Sequence, residues 1–275
     1  MAKGKAKATE VRFVGRCVYG CGPDHAGRLT EEHILAANFG GVFTLGEASC
    51  GACQKLINEQ IEAPCLRGMF KDIRYRRGIG SRRTSGRPDE LPILKPPAEE
   101  AEPLGPYLNP EHWRAKTVPY DQHPTLLVLT IYNTPGLLRG IDPSSLAKEQ
   151  PGMWWYIEPH LRKEVVEGGA LVQMKFNHGI FWRLIAKTAH CLAVAQFGVD
   201  GFEPFVIDTI LGRDASDKRD LIGCKLPAEA PIEENNELGF AVLESGTLAS
   251  HILCSVRVFA DLGAPTYCAI VGKKK

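Results

Sequence analysis

The sequence has no apolar run long enough to cross a bilayer, which argues against a helical membrane protein. Its opening residues, MAKGKAKATEVRF, are basic but lack the apolar stretch of a secretory signal, so a cytoplasmic location with no membrane partner is expected. No repeat of fixed period is present, which argues against solenoids and propellers. The C-terminal part has no Gly-rich phosphate loop, no Ser-His-Asp order and no nucleotide fingerprint. Excess charge is also lacking: the net charge is +1, which alone suggests no nucleic-acid partner. With 44% hydrophobic and 24% charged residues, the 275-residue chain falls in the ordinary globular class. That length accommodates two domains of usual size.

The mean charge hides one local imbalance. Between Arg67 and Arg87 the chain carries Arg67, Lys71, Arg74, Arg76, Arg77, Arg82, Arg83 and Arg87 against a single acid, Asp72. Phe70 and Tyr75 are interleaved with them. A cationic block this dense is an electrostatic footprint for phosphate, although charge runs are commonly only a solvated face.

Cysteine is unevenly distributed. Five of the nine cysteines precede residue 66, while Cys191, Cys224, Cys254 and Cys268 are scattered through apolar segments and read as small buried hydrophobes. Cys17 and Cys21 form one close pair (CVYGC) and Cys50 and Cys53 another (CGAC), with 28 residues between the pairs. Four thiolates in two such knuckles are a donor set for structural Zn²⁺. The segment has few large apolar residues, and a core that small is commonly stapled.

Three segments follow from this reading. Residues 10–80 form the cysteine-rich basic unit, residues 81–106 a linker rich in proline and charge, and residues 107–275 a second folded unit. In the second unit, residues 125–132, 170–177, 251–260 and 266–272 have strand composition. The last two are separated by the turn DLGAP and read as an antiparallel hairpin. Residues 181–198 place Phe181, Leu184, Ile185, Thr188, Ala189 and Leu192 at helical spacing and end in Gly198. The expected fold class is α+β: a small zinc-stabilised N-terminal domain, then a mostly antiparallel sheet with a long buried helix. Arg183, Lys187 and His190 read as a polar edge of that helix, and MWWYIE (153–158) as buried strand aromatics or a base-stacking platform. The sequence leaves three roles open for this unit: setting specificity, homo-oligomerisation, or sensing a ligand.

Between the cysteine pairs lies LTEEHILAANFGG, in which Glu32 adjoins His33 ahead of a loop ending Gly40-Gly41. A neutral imidazole suits deprotonation of water near neutral pH, and an adjacent carboxylate suits a hard cation such as Mg²⁺. Plainer readings are a structural histidine packed on the knuckle and a capping or surface carboxylate. His25 is a loop residue or a substitute for one thiolate. The order of cysteine pair, LTEEHI, GG loop and ASCGAC opening a helix resembles the HNH endonuclease family, in its branch with a ββα-metal motif bracketed by four zinc-bound cysteines. The resemblance covers residues 14–80. It implies that His33 is the general base and Glu32 a ligand of a catalytic Mg²⁺ or Mn²⁺. It also implies a further ligand from the following helix, Asn58 in preference to Gln54. Nucleic acid, DNA before RNA, is the implied partner, gripped by Arg67, Lys71, Arg74, Arg76, Arg77, Arg82 and Arg83. Three positions depart from the family pattern: Ala36 replaces a proline, Leu45 stands where a loop-tethering asparagine is usual, and Gln54 occupies a ligand position. Asn38 is the alternative tether. The competing reading is a non-catalytic zinc module that binds nucleic acid or a partner protein.

Overall fold

The computed structural model describes residues 9–21, 27–79, 90–95, 114–119, 122–123, 125–157, 176–214, 218–225 and 230–275. Arg82, Arg83, Arg87, His25 and the expected strand residues 170–175 lie outside them. The class is mixed α+β.

The N-terminal part is a small sheet of order β1-β3-β2, formed by β1 (Thr9–Phe13), β2 (Thr30–His33) and β3 (Phe43–Ser49). β2 and β3 are antiparallel, and β1 joins β3 in parallel. Helix α1 (Gly51–Ile57) follows β3 directly. It runs on through wider π-type turns at Asn58–Glu62 and Cys65–Met69 into α2 (Lys71–Arg76). Pro64 begins the second wide turn, where its missing N–H and its ring are tolerated by the looser winding.

The expected linker contains a strand. β4 (Glu90–Lys95) pairs antiparallel with β5 (Arg114–Pro119), burying Leu91 and Ile93 by simple alternation. β6 (Leu126–Ile131) pairs antiparallel with β7 (Gly152–Ile157), and the short helices α3 (Gly136–Arg139) and α4 (Pro143–Leu146) lie between them. The long helix α5 (His178–Phe197) is capped by the Asn177 side chain, which accepts the Ile180 N–H at 3.1 Å. It ends at Gly198, whose φ of 75° favours glycine.

Next come β8 (Phe202–Pro204), α6 (Ile207–Leu211), β9 (Ile222–Cys224), β10 (Asn236–Val242), β11 (His251–Val258) and β12 (Tyr267–Lys274). They build a five-stranded antiparallel sheet of order β10-β11-β12-β8, with β9 also paired to β12. The expected 251–272 hairpin is β11–β12.

The two expected units share one core. α5 packs on β11 and β12 and also on the turn Asn58–Glu62. Edge contacts run from Phe39 in the β2–β3 loop to Phe70 (5.5 Å between centroids), then to Phe181 of α5 (5.7 Å) and on to Tyr267 of β12 (5.0 Å). Helix α5 is therefore buried on almost every side, which explains why its apolar residues are not confined to one stripe.

Candidate metal cluster and catalytic cleft

Four thiols converge beside the small sheet. Gly20, in the left-handed region at φ 66°, closes the turn after β1 and brings Cys17 and Cys21 together. The Val18 N–H to Ala48 carbonyl bond (2.8 Å) ties that turn to the end of β3. Cys50 caps α1, its carbonyl accepting the Gln54 N–H at 2.9 Å, and Cys53 sits in the first turn. The sulfurs of Cys17 and Cys21 are 3.7 Å apart, those of Cys50 and Cys21 3.9 Å and those of Cys21 and Cys53 2.9 Å. All four lie within 4.8 Å of one another. A tetrahedron with metal–sulfur bonds of about 2.3 Å has edges of about 3.8 Å, so the group can hold a metal ion. A hydrogen bond from the Cys53 thiol holds Cys17 down to about 5, while Cys53 itself is pushed up in the exchange and burial raises Cys21 to about 11. The fifth early cysteine, Cys65, is buried apart from this group, and burial raises its pKa.

Next to the thiols is a cleft of about 420 Å³. Glu31, Glu32 and His33 of β2 line it together with Gln54, Lys55 and Asn58, so the four residues singled out by the sequence order share one cavity. The His33 side chain is 27% exposed, and its Nε2 lies 3.8 Å from the Glu31 carboxylate. Its Nδ1 is buried and has no hydrogen-bond partner among the described residues. β2 meets β3 with Glu32 opposite Leu45 and His33 opposite Thr44. A bulge follows on β3, with Glu47 at φ 45°. Bulges of this kind re-aim side chains where strands end.

The loop between these strands is shaped by its glycines. Gly40 has φ 87°, and a Cβ on Gly41 would come within 1.8 Å of the Leu35 carbonyl oxygen. Ala36 adopts φ −50°, ψ 134°, and that φ is one a proline could also take. The tether expected of an asparagine near Leu45 comes from elsewhere, because Leu45 is wholly buried in the core. Arg74 Nε donates to the Asn38 carbonyl at 2.7 Å, and the amides of Asn235 and Asn236 donate to the Phe39 carbonyl at 3.1 and 2.7 Å.

Glu32 is neither a cap nor a surface carboxylate. It is 5% exposed, with one oxygen 2.7 Å from Lys187 Nζ. Lys187 is wholly buried on α5 and also donates to Glu62 at 3.1 Å and to the carbonyl of His33. Burial disfavours its charge, but Glu32 and Glu62 outweigh that and raise its pKa, keeping the ammonium charged. Glu62 was missed from sequence, and Lys187 was read only as part of a polar helix edge. The available signals were the spacing of Glu62, four residues after Asn58 on the same face, and a lysine flanked by Leu184, Ile185, Ala186 and Ala189. His190, one turn on from Lys187, donates from Nε2 to the Val18 carbonyl at 2.8 Å, and burial lowers its pKa to about 4. The expected polar edge of α5 is thus a pair of buried links to the N-terminal part.

The basic block is divided. Arg74 does not join a phosphate-facing stripe: it is 5% exposed and spends its guanidinium on the carbonyls of Asn38 and Leu66. Arg77 pairs with Asp261, and Lys71 lies over the Tyr75 ring at 5.9 Å. Arg67 is exposed, and Lys71 and Arg76 are half-buried. In β7, Trp154 and Tyr156 pack against the core while Met153 and Trp155 face outward. Among the described residues no helix is long and apolar enough to cross a membrane. No family model, curated protein or solved structure matches this chain.

Proposed function

We propose that the chain is a metal-dependent nuclease of HNH type that hydrolyses phosphodiester bonds, with DNA placed before RNA as substrate. One observation carries the reading: His33, Glu32, Asn58 and Gln54, chosen for their order along the chain, line one open cleft beside a four-thiol cluster. The hairpin β2–β3 running into α1 would then be the ββα-metal element. We assign Zn²⁺ to the thiols, whose softness and spacing suit it. The cleft offers carboxylate and amide oxygens, a donor set for Mg²⁺ or Mn²⁺. Glu32 with Asn58 or Gln54 would hold that ion, which when bound would offset charge developing on the phosphate.

The remaining chemistry belongs to the protein's own groups. His33 takes the proton of the attacking water at Nε2, since Nδ1 is buried, and Glu31 stabilises the imidazolium that forms. Lys187 fixes the Glu32 carboxylate and the end of β2. Arg67 and Lys71, on the stretch leaving the cleft, meet phosphates flanking the scissile bond.

The Glu32–Lys187 pair favours a second reading, because a carboxylate already matched by a buried ammonium is a poorer cation ligand. On that reading the chain binds nucleic acid or a partner protein without cutting. Cleavage of supercoiled plasmid with Mg²⁺ or Mn²⁺, compared between the parent and His33→Ala, decides the matter. Nicking that falls at least about 100-fold in the variant supports the nuclease. A parent that retards DNA in a gel yet nicks none supports the binding module.

A further inference from the structure

A larger cavity, about 660 Å³, opens among β6–β7, the start of α5 and the end of α6, and the cleft chemistry does not use it. Its volume is in the range that holds a small ligand. Two of its lining residues are Tyr132, which is half-buried, and Trp182, which is buried, with ring centroids 4.4 Å apart and planes tilted by 59°. His178 also lines it, its Nδ1 held by the Thr130 hydroxyl at 2.8 Å. The charged lining consists of Arg183, the Lys218–Asp214 ion pair and Arg219, which donates to the Glu149 carbonyl at 2.9 Å.

Arg183 is the informative residue. Its Nε donates to the Ile210 carbonyl at 3.0 Å and its Nη2 to the Gln60 side-chain oxygen at 3.1 Å, both neutral acceptors. Among the described residues no carboxylate pairs with it. Burial lowers its pKa, which registers the cost of holding a charge partly out of water without a counter-ion. An anion reaching the guanidinium would offset that cost. Gly212, at φ 71°, packs against the same guanidinium, and a Cβ there would come within 3.3 Å of it.

We infer that this cavity binds a nucleotide unit, with a planar base against Tyr132, whose ring is backed by Trp182, and a phosphate at Arg183. Aromatic faces accept any base, and a guanidinium fork matches phosphate oxygens. The inference does not rest on the cleft being catalytic. It is connected to the cleft, however. Gln60, the partner of Arg183, lies between Asn58 and Glu62, and Arg183 is one helical turn from Lys187. The nucleotide therefore belongs either to a strand that also crosses the cleft or to a free mononucleotide.

The test is equilibrium binding to the full chain, followed by tryptophan fluorescence and calorimetry without added divalent cation. The probes are AMP, adenosine, inorganic phosphate and a ten-residue deoxyoligonucleotide. Saturable binding of AMP is expected, with adenosine and phosphate each about ten-fold weaker or worse and Arg183→Gln weakening AMP about ten-fold. Displacement of AMP by the oligonucleotide assigns the cavity to a bound strand, and AMP binding that the oligonucleotide leaves unchanged assigns it to a free nucleotide. The inference is overturned if neither AMP nor the oligonucleotide binds the parent. It is equally overturned if AMP binds no better than adenosine and phosphate, a comparison that needs only the parent protein.

Discussion

Lys187 carries its charge with no exposed surface, between carboxylates from two different elements. Removing a partner from such a group leaves the others buried and unmatched, which typically costs about 3–5 kcal/mol. Lys187→Met should lose stability of that order in chemical denaturation, with Lys187→Arg recovering part of it. Because the folded pKa of Lys187 is raised, its contribution is complete below the ordinary lysine value and is lost only in strong alkali. His190 acts at the other end of the scale. Its pKa is lowered to about 4 by burial, so its contribution is complete above about 6.5 and is lost as pH falls from there to about 4. That window is worth about 3 kcal/mol, and a denaturation series over it should be markedly flatter in His190→Gln. Neither residue was legible as a link to the N-terminal part. Sequence spacing reports only neighbours on one helix or strand, whereas these partners lie at Glu32, Glu62 and Val18. Glu32 and His33 could be singled out together because they adjoin each other, but the ion pair of Glu32 with Lys187 could not.

At the level of elements, the thiol cluster joins the turn after β1 to the first turn of α1. This junction sets where Gln54 and Asn58 stand relative to His33. We expect one Zn²⁺ per chain by elemental analysis of metal-loaded protein. Cys53→Ser should lose that ion, lower the melting temperature and abolish any plasmid nicking along with it. The long helix and the β11–β12 hairpin could be read from sequence because their periodicities are sustained over many residues. β4 could not be read. Pro92 sits in its middle, the flanks are rich in proline and charge, and only its pairing with β5 makes the alternation of Leu91 and Ile93 meaningful. The basic block misled at Arg74 for a related reason. Charge density speaks of phosphate, but a guanidinium also satisfies backbone carbonyls, here those of Asn38 and Leu66.

For the molecule as a whole, the aromatic chain Phe39–Phe70–Phe181–Tyr267 makes one core of what composition divides in two. Composition sees the proline-rich stretch as a boundary, whereas the ring contacts depend on tertiary packing that no local pattern encodes. A fragment ending at residue 80 would expose Phe39 and Phe70 and leave Glu32 and Glu62 without Lys187. Such a fragment, even with Zn²⁺, should lack a dispersed amide NMR spectrum, while the full chain should unfold in one transition by fluorescence and circular dichroism. The central claim remains that one cleft brings an imidazole and an oxygen-bound cation to the same phosphate. Anomalous diffraction from crystals soaked in Mn²⁺ tests it most directly. The account predicts a manganese peak in the cleft, bonded to Glu32 and to Asn58 or Gln54 with the His33 ring beside it. Well-ordered crystals with a zinc peak at the four sulfurs and no manganese in the cleft at saturating concentration would contradict it.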